Sequence, residues 1–427
     1  MKILNSNSKN FDKTLDSLLL QRKKRVKFNS VSVTSIIKDV KRNGDKALLK
    51  YEKKFNQNNI IVPTVKQISK LARSLDKRIK DAIDHAYSRI YKFHSLQKFK
   101  NISYTDSLKN VLEYKYIPIE SVAIYVPGSS ASYPSSVLMN AIPAIIAGVK
   151  RIVMINPGFK GKQNPAVLYA AKKCKIKEIY SIGGPSAIAA AAYGTQKIKK
   201  VNKIVGPGNN YVTAAKKEVF GEVGIEGMTA GPSEVTIVCD KFSNPDWVAS
   251  DLIAQAEHDI LAQCILISKD KKFIEKVKIE ITNQLKKIPR LSIARKSLIT
   301  NGILMYINSD KKIIDAVNKI APEHLELNIK NYRSYISKIK NSGSICLGKY
   351  AVMAMTDYNI GTNHILPTNG SAKYSSGISV NEFYKRISYI NLSKKGIESL
   401  GPSVITLANY EGLAGHAQSI KKRIRRK

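Results

Sequence analysis

From Val122 to Val205 the chain alternates short apolar runs with helical segments, and this rhythm constrains the fold more than any single motif. The runs are Val122 to Val126, Ile152 to Ile155, Glu178 to Ile182 and Val201 to Val205. Each ends in Gly or Pro, and helical pieces follow at Ser135 to Ala147, Pro165 to Cys174 and Ser186 to Tyr193. Strands and helices at this spacing predict right-handed βαβ units and a parallel sheet. The loops Pro127-Gly128-Ser129, Pro157-Gly158, Gly183-Gly184 and Gly206-Pro207-Gly208-Asn209 would then line the carboxyl edge, where ligands of open α/β sheets bind and glycines let backbone amides approach a phosphate. The dinucleotide fingerprint itself is poor, because GPGNNY lacks its third glycine and no acid ends the Ile152 to Ile155 run. Glycines that serve tight turns alone are an equally good reading of these loops.

A second set follows. Val235 to Cys239, Cys264 to Ser268, Gly302 to Ile307 and Ser344 to Leu347 read as strands, with helices around Trp247 to Ala256, Lys272 to Lys286 and Asp310 to Ile320. Pro245 suits the first position of a helix, where its missing N–H costs nothing. That helix is expected to carry Gln255 and His258, three residues apart and so on one face, where an amide oxygen and an imidazole could converge on a cation while Glu257 points elsewhere. Taken alone, such a pair is more often a surface or satisfied polar pair. The fold class expected is α/β, with two Rossmann-like parallel-sheet domains and a mainly helical C-terminal segment. Upstream, Thr34 to Phe55 reads as helix broken at Gly44, and Gln67 to Gln97 as a longer helix holding His85 and His94. Nine residues put these two histidines half a turn apart, so both read as structural.

Composition excludes several classes. With 427 residues and 43% hydrophobic content the chain can bury at least two cores. Leu18 to Leu20 is too short for a signal-peptide core and no apolar stretch could cross a bilayer, so an unexported protein is expected. Cys174, Cys239, Cys264 and Cys346 are widely spaced, form no C-x-x-C pair and point to a reducing cytoplasm. A nucleophilic cysteine is a minor alternative, since buried strand thiols are inert. The formal charge of +39 invites a nucleic-acid reading, but the lysines are scattered and only Lys421 to Lys427 is a compact basic run.

The chemistry-bearing side chains cluster. Of six histidines, His258, His324, His364 and His416 fall in the segments AEH, APEHLEL, MTDYNIGTNHILPTNG and EGLAGHAQS. With Asp357, the chain offers Gln255, His258 and His416 as oxygen and nitrogen donors suited to a hard or borderline divalent cation such as zinc. Glu323 and His324 set an acid beside an imidazole after Pro322, and their diverging side chains could serve different steps from one loop.

From about Ile36 to His416 the chain resembles the histidinol dehydrogenase family. GDKALLKY, YVPGSSASYPSSVLMNAIPAIIAGV, GPGNNYVTAAK, AGPSEV, AQAEHD, APEHLEL, TDYNIGTNHILPT, SSGISVNEFYKR and EGLAGHA occur in the family's order. The resemblance implies oxidation of L-histidinol to L-histidine through L-histidinaldehyde with two NAD, the last steps of histidine biosynthesis. It implies one Zn2+ per subunit on Gln255, His258, Asp357 and His416, with His324 as general base and Glu323 activating water. Substrate would meet Ser233, Gln255, His258, His324, Asp357, Glu411 and His416, with His364 nearby, and NAD would meet Tyr125, Asn209 and the position of Ser186. It further implies a helical region 1–124 joined to a metal-bearing domain 233–377, an inserted NAD-side domain 125–232, and a tail 378–427 that shares active sites across a homodimer. Ser186 stands where the family has glutamine and Ser129 where glycine is common, which puts cofactor affinity in question. Met353 and Thr356 replace a common Glu and Gly and put the path into Asp357 in question.

Overall fold

The computed structural model describes residues 1–24, 30–128, 133–158, 160, 162–226 and 231–424. Ser129, Ala230 at the head of AGPSEV, and the last three residues of the basic tail lie outside the described residues. The chain divides into two units, Met1–Gln97 with Glu120–Glu382, and Lys98–Ile119 with Phe383–Lys427.

The first unit holds two parallel sheets. One has five strands in the order Glu178–Tyr180, Arg151–Ile155, Ser121–Tyr125, Lys203–Val205 and Gly224–Ile225. The other has six, in the order Lys2–Asn5, Ile303–Tyr306, Gln263–Ser268, Glu234–Cys239, His324–Asn328 and Ser344–Leu347. Leaving aside Lys2–Asn5, the winding is the same in both. A first strand takes the centre, the next two add on one side, and the fourth and fifth add on the other. The expected strands are all present. Strand Lys2–Asn5, strand Gly224–Ile225 and strand His324–Asn328 are additional, and the last corrects the expectation that Glu323 and His324 share a loop.

Strand His324–Asn328 escaped notice because its charged residues are fully covered. Leu325 and Leu327 pack with Val238, Ile267, Met305 and Val317 on one face, while His324 and Glu326 occupy the other face and are only 3% and 1% exposed. That second face belongs to the layer where Val235, Ile237 and Cys239 meet Val248, Leu252 and Ala256 of helix Pro245–Ala256. Parallel strands covered on both faces read as apolar runs, and a strand carrying His and Glu does not.

Gly44 breaks helix Ser30–Asn56 as expected, with φ 52° and ψ −130°. The stretch read as one helix from Gln67 to Gln97 is two, Val65–Arg73 and Lys77–Ser95, because Asp76 accepts the N–H of Arg78 and starts the second. His94 is buried, its Nδ1 2.9 Å from the carbonyl of Ile90, in keeping with a structural role. All four cysteines are free and buried, and burial pushes Cys174 and Cys346 up to about 12, so the nucleophile alternative has no support. Among the described residues no helix is long and apolar enough to cross a membrane.

The second unit pairs Tyr384–Asn391 with Val111–Pro118, and Val111–Pro118 with Ile102–Thr105, all antiparallel. Helices Lys394–Tyr410 and Ala414–Ile424 follow. The C-terminal segment is thus mainly helical but opens with an eight-residue strand, missed because Tyr384–Asn391 is largely exposed and lacks a buried alternation.

Glu52 ties the kinked helix to the five-stranded sheet. Its Oε1 accepts the N–H of Gly183 at 2.8 Å and its Oε2 the amide of Asn56 at 2.7 Å. Burial nonetheless raises it to about 7 from the ordinary 4.5, so the fold favours its protonated form. That contribution is complete below the ordinary value and is lost as pH rises through about 7. Glu52→Gln stays neutral and keeps an acceptor for Gly183. Relative to the parent it is expected to be neutral near pH 5 and more stable, by on the order of 2 kcal/mol, near pH 8. Thermal melts at both pH values check this, and a difference independent of pH would refute it.

Candidate active site

A cavity of about 420 Å³ lies between the carboxyl edge of the five-stranded sheet and the amino ends of strands in the six-stranded one. Gly183 and Gly184 do not line it; its first wall is made by Tyr125, Pro127, Gly128, Pro157, Gly206, Pro207, Gly208 and Asn209, from three of the four loops expected there. Their glycines are forced by close approach. A Cβ on Gly206, which has φ 103°, would meet the carbonyl oxygen of Tyr125 at 2.3 Å, and one on Gly128 would meet that of Pro157 at 2.5 Å. Asn209 caps helix Asn210–Glu218 by accepting the N–H of Val212, which aims the helix's positive end at the cavity. Tyr125 is buried, and its hydroxyl accepts the N–H of Gly184 at 3.1 Å. Ser186 is not brought to this wall: 3% exposed, it donates to the carbonyl of Gly183 at 3.0 Å. The turn it braces is the one that holds the Tyr125 hydroxyl.

The second wall gathers Ser233, Gln255, His258, Glu323, His324, Asp357 and His364. His258 does not lie on the helix with Gln255, as the spacing suggested. The helix ends at Ala256, Glu257 caps it, and His258 follows in a turn whose N–H reaches the Gln255 carbonyl at 3.3 Å. The two still line one cavity. Met353–Tyr358 forms a short helix that presents Asp357, so Met353 and Thr356 leave the path to this carboxyl intact. Asp357 faces two imidazoles, with Oδ1 3.9 Å from His324 Nε2 and Oδ2 4.0 Å from His258 Nε2. His364 stands behind it, Nδ1 2.7 Å from the Asp357 carbonyl oxygen. A carbonyl only accepts, so Nδ1 carries the proton and Nε2, 3.5 Å from Ser136 Oγ, is free to accept.

Glu323 and His324 converge, with Oε1 3.9 Å from Nε2. Glu323 Oε2 accepts the N–H of Glu234 at 2.7 Å, and Glu234 pairs with buried Arg22 at 3.2 Å. Burial, then the nearby Glu234 and Asp357, raise Glu323 well above the usual carboxylate range. Burial, aided by His364 and His258, lowers His324 to about 3. Asp357 is raised to about 7 by burial, and His258 is lowered by the same cause. The ligand-free wall therefore pairs a neutral, proton-accepting imidazole with a protonated carboxyl.

Glu234, Arg22 and Ser344, whose Oγ lies 3.1 Å from His324 Nδ1, were given no role in the sequence. The available signal was an acid at the head of a β-branched run, in GPSEV. Glu411 and His416 belong to the second unit, at the end of helix Lys394–Tyr410 and in the first turn of Ala414–Ile424, with exposed side chains.

A cation fits the donors present. Both amide atoms of Gln255 are buried without a hydrogen-bond partner, an arrangement that disfavours the ligand-free state. His258 Nε2 and Asp357 Oδ2, 4.0 Å apart, face the same space and are donors of the types zinc takes. Among the described residues no three His, Cys, Asp or Glu side chains are grouped closely enough to hold a metal ion.

Paired parallel sheets, glycine loops facing one side of a cavity and an imidazole with a buried acid facing the other define an α/β oxidoreductase. The family model described as "Histidinol dehydrogenase" matches residues 20–424. A histidinol dehydrogenase of Pelagibacter ubique (strain HTCC1062) is 79% identical over all 427 residues of both chains. One from Nitrosomonas europaea is 43% identical over 92% of each. The crystal structure of histidinol dehydrogenase from Elizabethkingia anophelis superposes with a TM-score of 0.91 at 37% identity, covering 99% of this chain and 98% of that one. The chain belongs to the histidinol dehydrogenase family, oxidoreductases of the last steps of histidine biosynthesis.

The orphaned amide gives a test of the ligand-free state. Gln255→Leu keeps the volume and removes two unpaired buried polar atoms, so the metal-depleted variant is expected to be about 1–2 kcal/mol more stable than the metal-depleted parent. Denaturation of both in chelator checks this, and a loss of stability would show that the amide has a partner.

Proposed function

We propose that the protein oxidises L-histidinol to L-histidine through L-histidinaldehyde, using two NAD and one zinc ion per site. The observation that carries this reading is the facing of two walls: glycine loops and a helix N-terminus on one, His324, Glu323, His258 and Asp357 on the other. NAD, when bound, supplies the hydride acceptor for each oxidation, and the geometry supports Tyr125 and Asn209 as its contacts. Zinc, when bound by Gln255, His258, Asp357 and His416, supplies a fixed anchor for nitrogen atoms of the substrate. Ser233, His364 and Glu411 complete the substrate contacts in this reading.

His324 takes the proton of the substrate hydroxyl, a task suited to an imidazole that burial keeps neutral. The protonated imidazole then sets a positive charge beside Glu323, whose Oε1 is 3.9 Å from Nε2 in the free protein. This lowers the carboxyl's pKa, so Glu323 gives up its own proton to solvent at the cavity mouth and can then accept one from the water that adds to the aldehyde. Once His324 has shed its proton it serves the second oxidation in the same way. Holding the aldehyde between the two walls until the second oxidation keeps it from side reactions. Four free cysteines fit a cytoplasmic setting.

The direct test is absorbance of NADH on adding histidinol, with two NADH expected per histidinol consumed, activity lost to chelator and restored by zinc. His258→Ala and Asp357→Ala are each expected to lose most bound metal on dialysis, and parent-like metal content in either would overturn the ligand assignment. Glu323→Gln is expected to slow oxidation of supplied histidinaldehyde more than the first oxidation, and equal slowing in single-turnover measurements would refute a role in hydration.

The fourth ligand is assigned to His416 of the partner subunit in a homodimer with shared sites, where Glu411 also reaches across. Asp357→Ala and His416→Ala, inactive alone, are expected on joint refolding to regain about a quarter of parental activity, since random pairing makes half the dimers mixed with one intact site each. A mixture as inactive as its parents would show that each site is built within one chain.

A further inference from the structure

Beneath the catalytic wall, in the apolar layer between the six-stranded sheet and helix Pro245–Ala256, two carboxyl groups meet. Asp251 of the helix and Glu326 of strand His324–Asn328 hydrogen-bond to each other. Two carboxyls can do so only when one of them carries a proton. Glu326 Oε1 also accepts the backbone N–H of Met353 at 2.7 Å. Each of these three attachment points lies one structural repeat from a residue of the site. Asp251 is one helical turn before Gln255, Glu326 is two residues after His324 on the same strand face, and Met353 is one turn before Asp357.

We propose that Asp251 and Glu326 share one proton and act together as positioning residues for the oxidation, holding Gln255, His324 and Asp357 in their relative places. The pair rests on the reaction proposed above but takes no part in its proton transfers. Its surroundings keep the shared proton in place. Cys239 on one neighbouring strand and Cys346 on the other are neutral thiols that feel the Glu326 charge, and among the described residues no cation acts on either carboxyl. Burial is the largest influence on both, raising Asp251 to about 6 and Glu326 to about 8. One negative charge is delocalised over two carboxyls and one N–H, whereas a second would repel the first inside the layer and push the helix, the strand and the Met353 turn apart.

Glu326→Gln separates the proton from the hydrogen bonds. The amide can accept from Met353 and donate to an ionised Asp251, so kcat on histidinol is expected within about threefold of the parent. The infrared difference spectrum between parent and Glu326→Gln near neutral pH is expected to show loss of one protonated-carboxyl band. Glu326→Leu strands both Asp251 and the Met353 N–H, and kcat is expected to fall by about 10–100-fold with a smaller change in KM. Should Glu326→Leu fail to fold, Asp251→Ala takes its place, with the same loss of kcat expected from a helix that tolerates alanine. An unchanged carboxyl band in Glu326→Gln, or parental kcat in the leucine or alanine variant, overturns the proposal. Failure of the functional reading is distinguished by the parent itself: no NADH from histidinol overturns that reading, whatever the infrared band shows.

Discussion

Burial of carboxyl groups away from cations is the constraint on which the site depends. The chain carries 71 Lys and Arg against 32 Asp and Glu, yet Glu323, Asp357, Glu326 and Asp251 all sit where burial is the largest influence on them. Among the described residues two cations are buried as well, and both are engaged elsewhere: Arg22 pairs with Glu234, and Lys216 donates to the carbonyls of Gly206 and Glu226. Removing an ionised carboxylate from water costs several kcal/mol, so these groups hold protons or share them until a ligand changes the balance.

The two sheets show how a repeated winding is put to unequal use. In the five-stranded sheet the cavity lies at the carboxyl edge, after Tyr125 and Val205, as the general rule for open α/β sheets requires. In the six-stranded sheet it lies at the opposite edge, before Glu234 and at His324. The loops of one sheet thus face the strand beginnings of the other, and the enclosed volume between them brings a backbone-lined wall against a side-chain-lined one. Neither sheet would enclose the reacting atoms by itself.

Most of the fold was legible because its strands and helices keep their periods. The runs around Val122, Ile152, Val235 and Cys264 all became central strands within a residue or two of their expected bounds. What failed had physical reasons. Strand His324–Asn328 alternates Leu with His, Glu and Asn on a face that is covered rather than solvated, so its polarity read as a loop. Tyr384–Asn391 is held by antiparallel pairing to Val111–Pro118 and not by burial. At the site, residue types and family motifs marked Gln255, His258, His324 and Asp357. The roles of Arg22, Glu234, Asp251 and Ser344 depend on contacts across long sequence separations, which no local spacing encodes.

Because the candidate site sits at the amino ends of the six-stranded sheet, the loops after Cys239, Ser268, Tyr306 and Asn328 lie at its other end and supply none of the cavity's lining. Those loops and the first turns of the helices that follow hold Lys241, Lys269, Lys271, Lys272, Lys311, Lys312 and Lys330. The sheet therefore keeps its candidate site at one edge and this run of lysines at the other, about six residues of strand apart, so the charge concentrated there lies a full strand length from the cavity.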